Sequence, residues 1–266
     1  MPSIDRHNAG HFCWFELATT DQAGAKQFHQ TLFGWEVQDA PIGPNELYSS
    51  FKRGGRDVAA AYTMRSEQLA HGMPPHWLVY VGVGSADGAT KKASDAGGKV
   101  LMPPFDVMDL GRMAIIQDPA GASFAVWEPK RHHGTGLVRE NGAGVWADLI
   151  VPDSEAVTAF YRALFGWQLV AGKSMVPAKP GDYIHIVNGG EFIGGIPPVH
   201  GGGTIPSHWM TYFAVADCQA TIAQATSMGA RVLSGPMTIE GTGTFAALSD
   251  PQGAVFALIQ LSPPKK

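Results

Sequence analysis

The chain has 266 residues, enough for two domains of ordinary size, and its hydrophobic (45%) and charged (16%) fractions are those of a globular protein. A formal charge of -4 leaves no basic footprint for nucleic acid. No apolar run reaches the roughly 18 residues of a membrane span, and the opening MPSIDRHNAGH lacks the basic and apolar regions of a signal peptide. Two cysteines, Cys13 and Cys218, fall at unrelated places, so no structural disulfide and a cytoplasmic location are expected.

Taken in chain order, residues 11–19 (HFCWFELAT) alternate as a strand does. Asp21 has the chemistry of an N-cap, and a helix over 21–33 follows with Ala23, Phe28, Leu32 and Phe33 on one side; Gly34 closes it. Short β-rich runs at 47–53 and 57–63 flank Arg53-Gly54-Gly55-Arg56, a hairpin turn. A second unit begins with the strand HWLVYVGV at His76, continues with a helix over 86–96, and ends in the strands GRMAIIQD and ASFAVWEP around the turn Asp118-Pro119-Ala120-Gly121.

This pattern then repeats. LFGW at 32–35 recurs at 164–167, an offset of 132 that also carries Trp14 to Trp146, Asp21 to Asp153, His76-Trp77 to His208-Trp209, Tyr80 to Tyr212 and Asp118-Pro119 to Asp250-Pro251. Lengths differ only in the middle, where Tyr48 pairs with Tyr183. The polar segment 131–144 is the linker. The expectation is an α+β chain of two tandem domains, 10–130 and 142–262. Each is a pair of βαβββ modules forming a curved, partly open β-barrel with helices outside, the second copy's helices covering 153–165 and 218–228. The two copies are expected to stand as independent barrels, and Gly201-Gly202-Gly203 reads as a loop at a cavity mouth.

The combination of LFGW after a capping Asp, HWxxYxxV and DPxGAxFA resembles the vicinal-oxygen-chelate superfamily of glyoxalases, bleomycin-resistance proteins and extradiol dioxygenases, in its four-module, two-domain bacterial form. The resemblance covers essentially the whole chain. It implies a funnel-shaped cavity in each copy, with a metal held in many members by His, Glu or Gln on inward-facing strand positions. Carried onto this sequence, one ligand position falls on Trp14 and Trp146, and another on Ala125 and Ala257. The third falls on Leu78 and Met210 in one register, or on His76 and His208 in a looser one. An indole N–H only donates and alanine offers nothing, so a single imidazole would remain. No metal or other cofactor is therefore expected, a divalent metal being the alternative.

If Trp14 points inward, strand alternation turns Glu16 inward with it, and Asp148 with Trp146. His76, Leu78 and Tyr80 would line the first cavity, and His208, Met210 and Tyr212 the second. Asp148, His208 and Glu16 are the candidate catalytic groups. A carboxylate in an apolar funnel has a raised pKa and can act as a base, although one held by hydrogen bonds at a barrel end is a structural group. His76 and His208 stand at strand entrances, where an imidazole either transfers protons or pairs the sheet edge. Trp14, His76, Tyr80, Trp146, His185, Met210 and Tyr212 are the candidate ligand-binding residues; His185 has only Ser50 opposite it in copy one, so the second cavity is the favoured one.

Three functions are compatible with this reading. The first is a metal-free binder of a small apolar, aromatic or carbonyl molecule, as bleomycin-resistance relatives are. The second is a metal-independent lyase, isomerase or hydroxylase-like enzyme using Glu16, Asp148 and His208. The third is a metal-dependent glyoxalase or extradiol dioxygenase. The expected partner is a small molecule, not nucleic acid or membrane, in a monomer or homodimer.

Overall fold

The computed structural model describes residues 4–172, 176–177, 181–198 and 206–263; the glycine run 201–203 lies outside them. In the first copy the elements are β1 (Phe12–Thr19), α1 (Gln22–Phe33), β2 (Glu36–Gly43), β3 (Glu46–Arg53), β4 (Arg56–Thr63), α2 (Ser66–Ala70), β5 (His76–Gly82), α3 (Ala86–Asp95), β6 (Lys99–Val107), β7 (Gly111–Gln117) and β8 (Ser123–Pro129). The second copy has β9 (Gly144–Ile150), α4 (Glu155–Phe165), β10 (Gln168–Ala171), β11 (Val176–Pro177), β12 (Ile184–Asn188), β13 (Glu191–Ile196), β14 (His208–Ala214), α5 (Cys218–Ser227), β15 (Arg231–Ile239), β16 (Gly243–Ser249) and β17 (Val255–Leu261).

Local chemistry sets the boundaries that the sequence announces. Asp21 accepts a hydrogen bond from the Gly24 N–H at 3.0 Å and opens α1. Gly34 ends that helix at φ +67°, as Gly166 ends α4 at φ +73°, a conformation disfavoured for residues with a Cβ. Arg53 pairs with Arg56 across Gly54 and Gly55, both at positive φ, the signature of a type I′ hairpin. The strands β2 and β6 and the five-residue α2 carry no such signal. Edge strands have solvent on both sides, so their sequences need not alternate, and β15 is exposed along its whole length.

Each copy forms one curved, open sheet. The order is β2-β3-β4-β1-β5-β8-β7-β6 in the first and β11-β10-β12-β13-β9-β14-β17-β16-β15 in the second. Antiparallel β1/β5 and β9/β14 join the two modules of a copy at its centre. Pleating divides the side chains between two faces. Trp14, Leu78, Tyr80, Ala125 and Trp127 belong to a small cluster on the inner, cup-like face, with Glu16 of the same parity beside them. Phe15, Leu17, Val79 and Phe124 look the other way.

That outer face corrects the expectation of independent barrels. The outer faces of both sheets and their helices share one core, which holds Phe15, Leu17 and Phe33 together with Leu149, Phe213 and Phe256. Phe213 alone meets Phe15, Phe33, Trp35 and Trp77 of the first copy at ring-centroid distances of 6.1, 5.1, 5.5 and 4.9 Å. The repeated motifs serve this joint. Trp35 of the first LFGW donates to Gly142 O at 2.8 Å, and Trp167 of the second donates to Gly10 O at 2.8 Å, each crossing to the other copy. The DPxG aspartates cross as well: Tyr161 donates to Asp118 at 2.8 Å, and His29 lies 3.2 Å from Asp250 with both side chains fully buried. A sheet with an apolar outer face must bury it, and here each copy buries it on the other. Cys13 and Cys218 are both free and buried.

Candidate functional site

The registers place three residues abreast in each cup. Trp14 pairs with Tyr80 and Tyr80 with Ala125, across β1, β5 and β8. Trp146 pairs with Tyr212 and Tyr212 with Ala257, across β9, β14 and β17. Two of the positions at which the family resemblance would set metal ligands, Trp14 and Ala125 in one cup and Trp146 and Ala257 in the other, do stand abreast, on either side of Tyr80 and Tyr212, but they carry an indole and a methyl group. Leu78 and Met210, or His76 and His208, the third position, lie further along β5 and β14.

One carboxylate lies beside each row. In the second cup Asp148 Oδ1 accepts from Tyr183 Oη at 2.6 Å and from Trp146 Nε1 at 2.8 Å, and Oδ2 accepts from Tyr212 Oη at 2.8 Å. Trp146 Nε1 also reaches Tyr183 Oη at 3.0 Å. In the first cup Glu16 accepts from Tyr48 and Tyr80 at 2.8 Å each, and Trp14 Nε1 donates to Tyr48 Oη at 3.0 Å. The sequence reading placed Trp14, Glu16, Tyr80, Trp146, Asp148 and Tyr212 on these walls. It missed Tyr48 and Tyr183, each of which supplies half of a two-phenol grip. Their signal was the single Tyr–Tyr correspondence in the stretch where the copies differ in length. Tyr183 has room because β13 carries Gly195 opposite Asp148: a Cβ there would fall 2.0 Å from Tyr183 Oη.

Burial raises the Asp148 carboxyl above its ordinary range, opposed by the bonds from Tyr183, Tyr212 and Trp146. Burial raises Glu16 in the same way, opposed by Tyr48 and Tyr80 and by the Arg65 guanidinium. Burial, and then the neighbouring negative charge, drives the phenols of Tyr48, Tyr80, Tyr183 and Tyr212 upward, so each stays a proton donor to its carboxylate.

The histidines stand apart from this network. His76 and His208 sit at the strand entrances, with Nδ1 2.8 Å from Pro74 O and Pro206 O respectively. A carbonyl only accepts, so Nδ1 carries the proton and Nε2 is left as an acceptor. Burial lowers the His76 pKa. His208 pairs with Ile150, one inward position beyond the Met210–Asp148 pair, with Met210 buried. His185 meets the rings of Trp146, Tyr183 and Phe192 at 6.4, 4.9 and 5.2 Å, and its Nδ1 accepts from the Gly172 N–H at 3.2 Å. Burial lowers its pKa.

The cups differ in cover. In the first, the linker returns over the inner face, and the His132 imidazole stands edge-on to Trp14 at 4.6 Å and to Trp127 at 5.9 Å. Trp127 donates to His132 O at 2.8 Å and lies across Gly111, where a Cβ would fall 2.3 Å from its ring. Trp14 and Tyr80 are left 4% and 3% exposed. In the second, Ile259 stands where Trp127 would, and Trp146, Tyr183, His185, Tyr212 and Phe245 are all partly exposed. Phe245 meets Tyr212 at 6.3 Å, and its register partner Met237 is half exposed, extending an apolar wall toward the rim. Among the described residues, no three His, Cys, Asp or Glu side chains gather as a metal would require.

The model of the glyoxalase family, described as the Glyoxalase/Bleomycin resistance protein/Dioxygenase superfamily, matches residues 10–126 and 145–258. A relative named "Putative glyoxylase CFP32" from Mycobacterium tuberculosis (strain CDC 1551 / Oshkosh) is 39% identical over 266 residues, covering 99% of each chain. The anthracycline biosynthesis protein DnrV of Streptomyces peucetius is 34% identical over 273 residues, covering 97% of this chain and 96% of its own. Among solved structures, the Mn(II)-bound glyoxalase from Novosphingobium aromaticivorans has a TM-score of 0.64 at 16% identity, over 95% of this chain and 82% of that one. The 2,3-dioxygenase LapB from Pseudomonas sp. KL28 has a TM-score of 0.61 at 13% identity, over 96% of this chain and 94% of that one. At such identities these two share the fold alone.

Proposed function

The chain belongs to the Glyoxalase/Bleomycin resistance protein/Dioxygenase superfamily, and we propose that it binds a small apolar, aromatic or carbonyl molecule without a metal, in the cup of its second copy. The copies are proposed as residues 10–130 and 142–262. The observation that carries this reading is the contrast between the cups. Trp146, Tyr183 and Tyr212 hold a buried carboxylate at the floor of a partly exposed aromatic wall, whereas Trp14 and Tyr80, the counterparts of Trp146 and Tyr212, are buried against His132 and Trp127. An apolar concavity with a few fixed polar groups is the usual form of a small-molecule site. Relatives named for anthracycline biosynthesis accord with a small-molecule ligand.

The donor set does not fit the divalent metal of the wider family. Trp146 Nε1 and both phenols already donate to Asp148, and the row abreast of them ends in Ala257. A hard cation needs several anionic or neutral donors aimed at one point, and this cup offers one carboxylate. Trp14 with Glu16 and Ala125 repeats that deficit.

Titration of tryptophan fluorescence and calorimetry with a panel of small aromatic and 2-oxo compounds tests the reading. Binding should weaken in Trp146→Phe and Asp148→Asn and stay unchanged in Trp14→Phe; the reverse pattern would place the site in the first cup. A second reading, a metal-independent proton-transfer enzyme, is favoured by the raised carboxyl of Asp148 beside Tyr212, with His208 at the mouth as a further acid or base. Its signature would be solvent deuterium entering a carbonyl ligand at the α-carbon in wild type and not in Asp148→Asn.

A further inference from the structure

Resting on the second cup as the binding site, we propose that it selects flat aromatic molecules that present a hydrogen-bond donor, a phenolic or enolic O–H, to Tyr212 Oη. Two independent observations carry this, one on shape and one on hydrogen-bond polarity.

The first is the occupant of cup one. The His132 ring comes from the linker, outside the sheet, and stands edge-on to Trp14 with centroids 4.6 Å apart, Trp127 closing its other side. The chain thereby fills its own first cup with a planar ring. The 132-residue offset carries Trp14 onto Trp146, where among the described residues no linker ring is placed and the indole is partly exposed. Trp146, partly exposed, suits a planar ring in the same edge-to-face arrangement, a geometry aromatic pairs favour and one that His185 already adopts toward it with centroids 6.4 Å apart.

The second is the inventory of donors. Asp148 takes the hydroxyl protons of Tyr183 and Tyr212 and the indole N–H of Trp146. Tyr183 Oη accepts in turn from Trp146. Tyr212, a partly exposed residue, is left with a lone pair on Oη, and its hydroxyl is polarised by the carboxylate to which it donates. His208 Nε2 at the strand entrance is likewise an acceptor, because Nδ1 faces Pro206 O. His185 keeps a proton on Nε2, since Nδ1 accepts from Gly172, and its ring stands against Tyr183, Phe192 and Trp146; what Tyr212 Oη itself offers a ligand is still a lone pair. A ligand carbonyl or ether oxygen brought to Tyr212 would meet another lone pair. A ligand O–H would meet an acceptor strengthened by a buried anion.

Calorimetry with 2-naphthol, 2-methoxynaphthalene and 2-acetylnaphthalene reads this directly, since the three share a ring system and differ in polarity. Wild type should bind the naphthol at least about tenfold more tightly than the ether and the ketone, the worth of one hydrogen bond at the upper end of the neutral range. Tyr212→Phe should bring the three to within about twofold. An ether or ketone that binds wild type as tightly as the naphthol, or a preference that survives Tyr212→Phe, would overturn the donor rule. Trp146→Ala separates the two levels. If all three probes bind wild type equally and all weaken in Trp146→Ala, the cup stands and the donor rule falls. If naphthol binding is untouched by Trp146→Ala, or if no probe binds, both fall.

Discussion

Replacing Asp148 by asparagine removes a buried charge while keeping the shape of the side chain. The aspartate is 4% exposed and accepts three hydrogen bonds, at 2.6, 2.8 and 2.8 Å. Bonds to a charged acceptor contribute roughly 1.5–3 kcal/mol each and neutral ones roughly 0.5–1.5, so losing the charge costs about 1 kcal/mol per bond, or about 3 kcal/mol in all. Against this stands the desolvation of a carboxylate, several kcal/mol in a real interior. The carboxyl is raised, so burial outweighs the three bonds, and each unit of that rise corresponds to about 1.4 kcal/mol. A group whose folded pKa lies above its unfolded value of about 3.9 contributes stability that is fully present below that value and lost as pH rises through the folded one. Asp148→Asn does not titrate, so the variant should gain on wild type as pH climbs from about 4 to 7. At neutral pH it should melt at the same temperature or a few degrees higher, at about 2–4 °C per kcal/mol. Thermal melts of both proteins at pH 4, 5, 6 and 7 measure the difference, in which the raised Glu16 and Asp118 cancel. A variant that loses about 2 kcal/mol or more at pH 7, or whose offset from wild type is flat across the series, would refute the claim that desolvation dominates at this site.

Other perturbations address the joint and the grip. Tyr161→Phe leaves buried Asp118 Oδ2 without its 2.8 Å donor and should cost about 1–3 kcal/mol by denaturant unfolding. That cost should be larger at pH 7 than at pH 4, because the Asp118 carboxyl, already raised by burial, moves further up when the donor is lost. Phe213→Ala should cost about 3–5 kcal/mol and shift one cooperative transition; two separated transitions would show that the copies do not share their core. Gly195→Ala should push Tyr183 off Asp148 and weaken aromatic ligands about tenfold, the worth of one hydrogen bond to a charged group, while Ala60→Gly, the converse change at the position opposite Glu16, should leave binding as it was. His132→Ala should raise acrylamide quenching of the emission assigned to Trp14 by comparison with Trp14→Phe; an unchanged quenching constant would mean that the linker does not cover the first cup.

Helix ends, hairpins and the duplication were legible because short-range chemistry decides them. Asp21 caps α1 with an atom three residues away, Gly34 and Gly166 end helices by lacking a Cβ, and Gly54-Gly55 permits a turn with two positive φ values. The same alternation that makes β1 a strand settles that Trp14 and Glu16 share a face, and the repeat transfers that pairing to Trp146 and Asp148 without any three-dimensional information. The family resemblance likewise followed from motifs of a few residues. The roles of those motifs were beyond the sequence. LFGW and DPxG mark helix ends and turns locally, yet Trp35, Trp167, Asp118 and Asp250 each reach across to the other copy, which only the packing of two outer faces brings near. Tyr48 and Tyr183 could not be joined to Glu16 and Asp148, 32 and 35 residues distant, until strand order laid β4 against β1 and β13 against β9. Nor did anything in the linker's polar composition announce that His132 would fold back onto Trp14. Local rules determine elements and faces because they act over a few residues of chain. Which cup is covered, and which carboxylate lies beneath a partly exposed wall, depends on contacts between segments far apart in sequence, and the tertiary structure alone decided those.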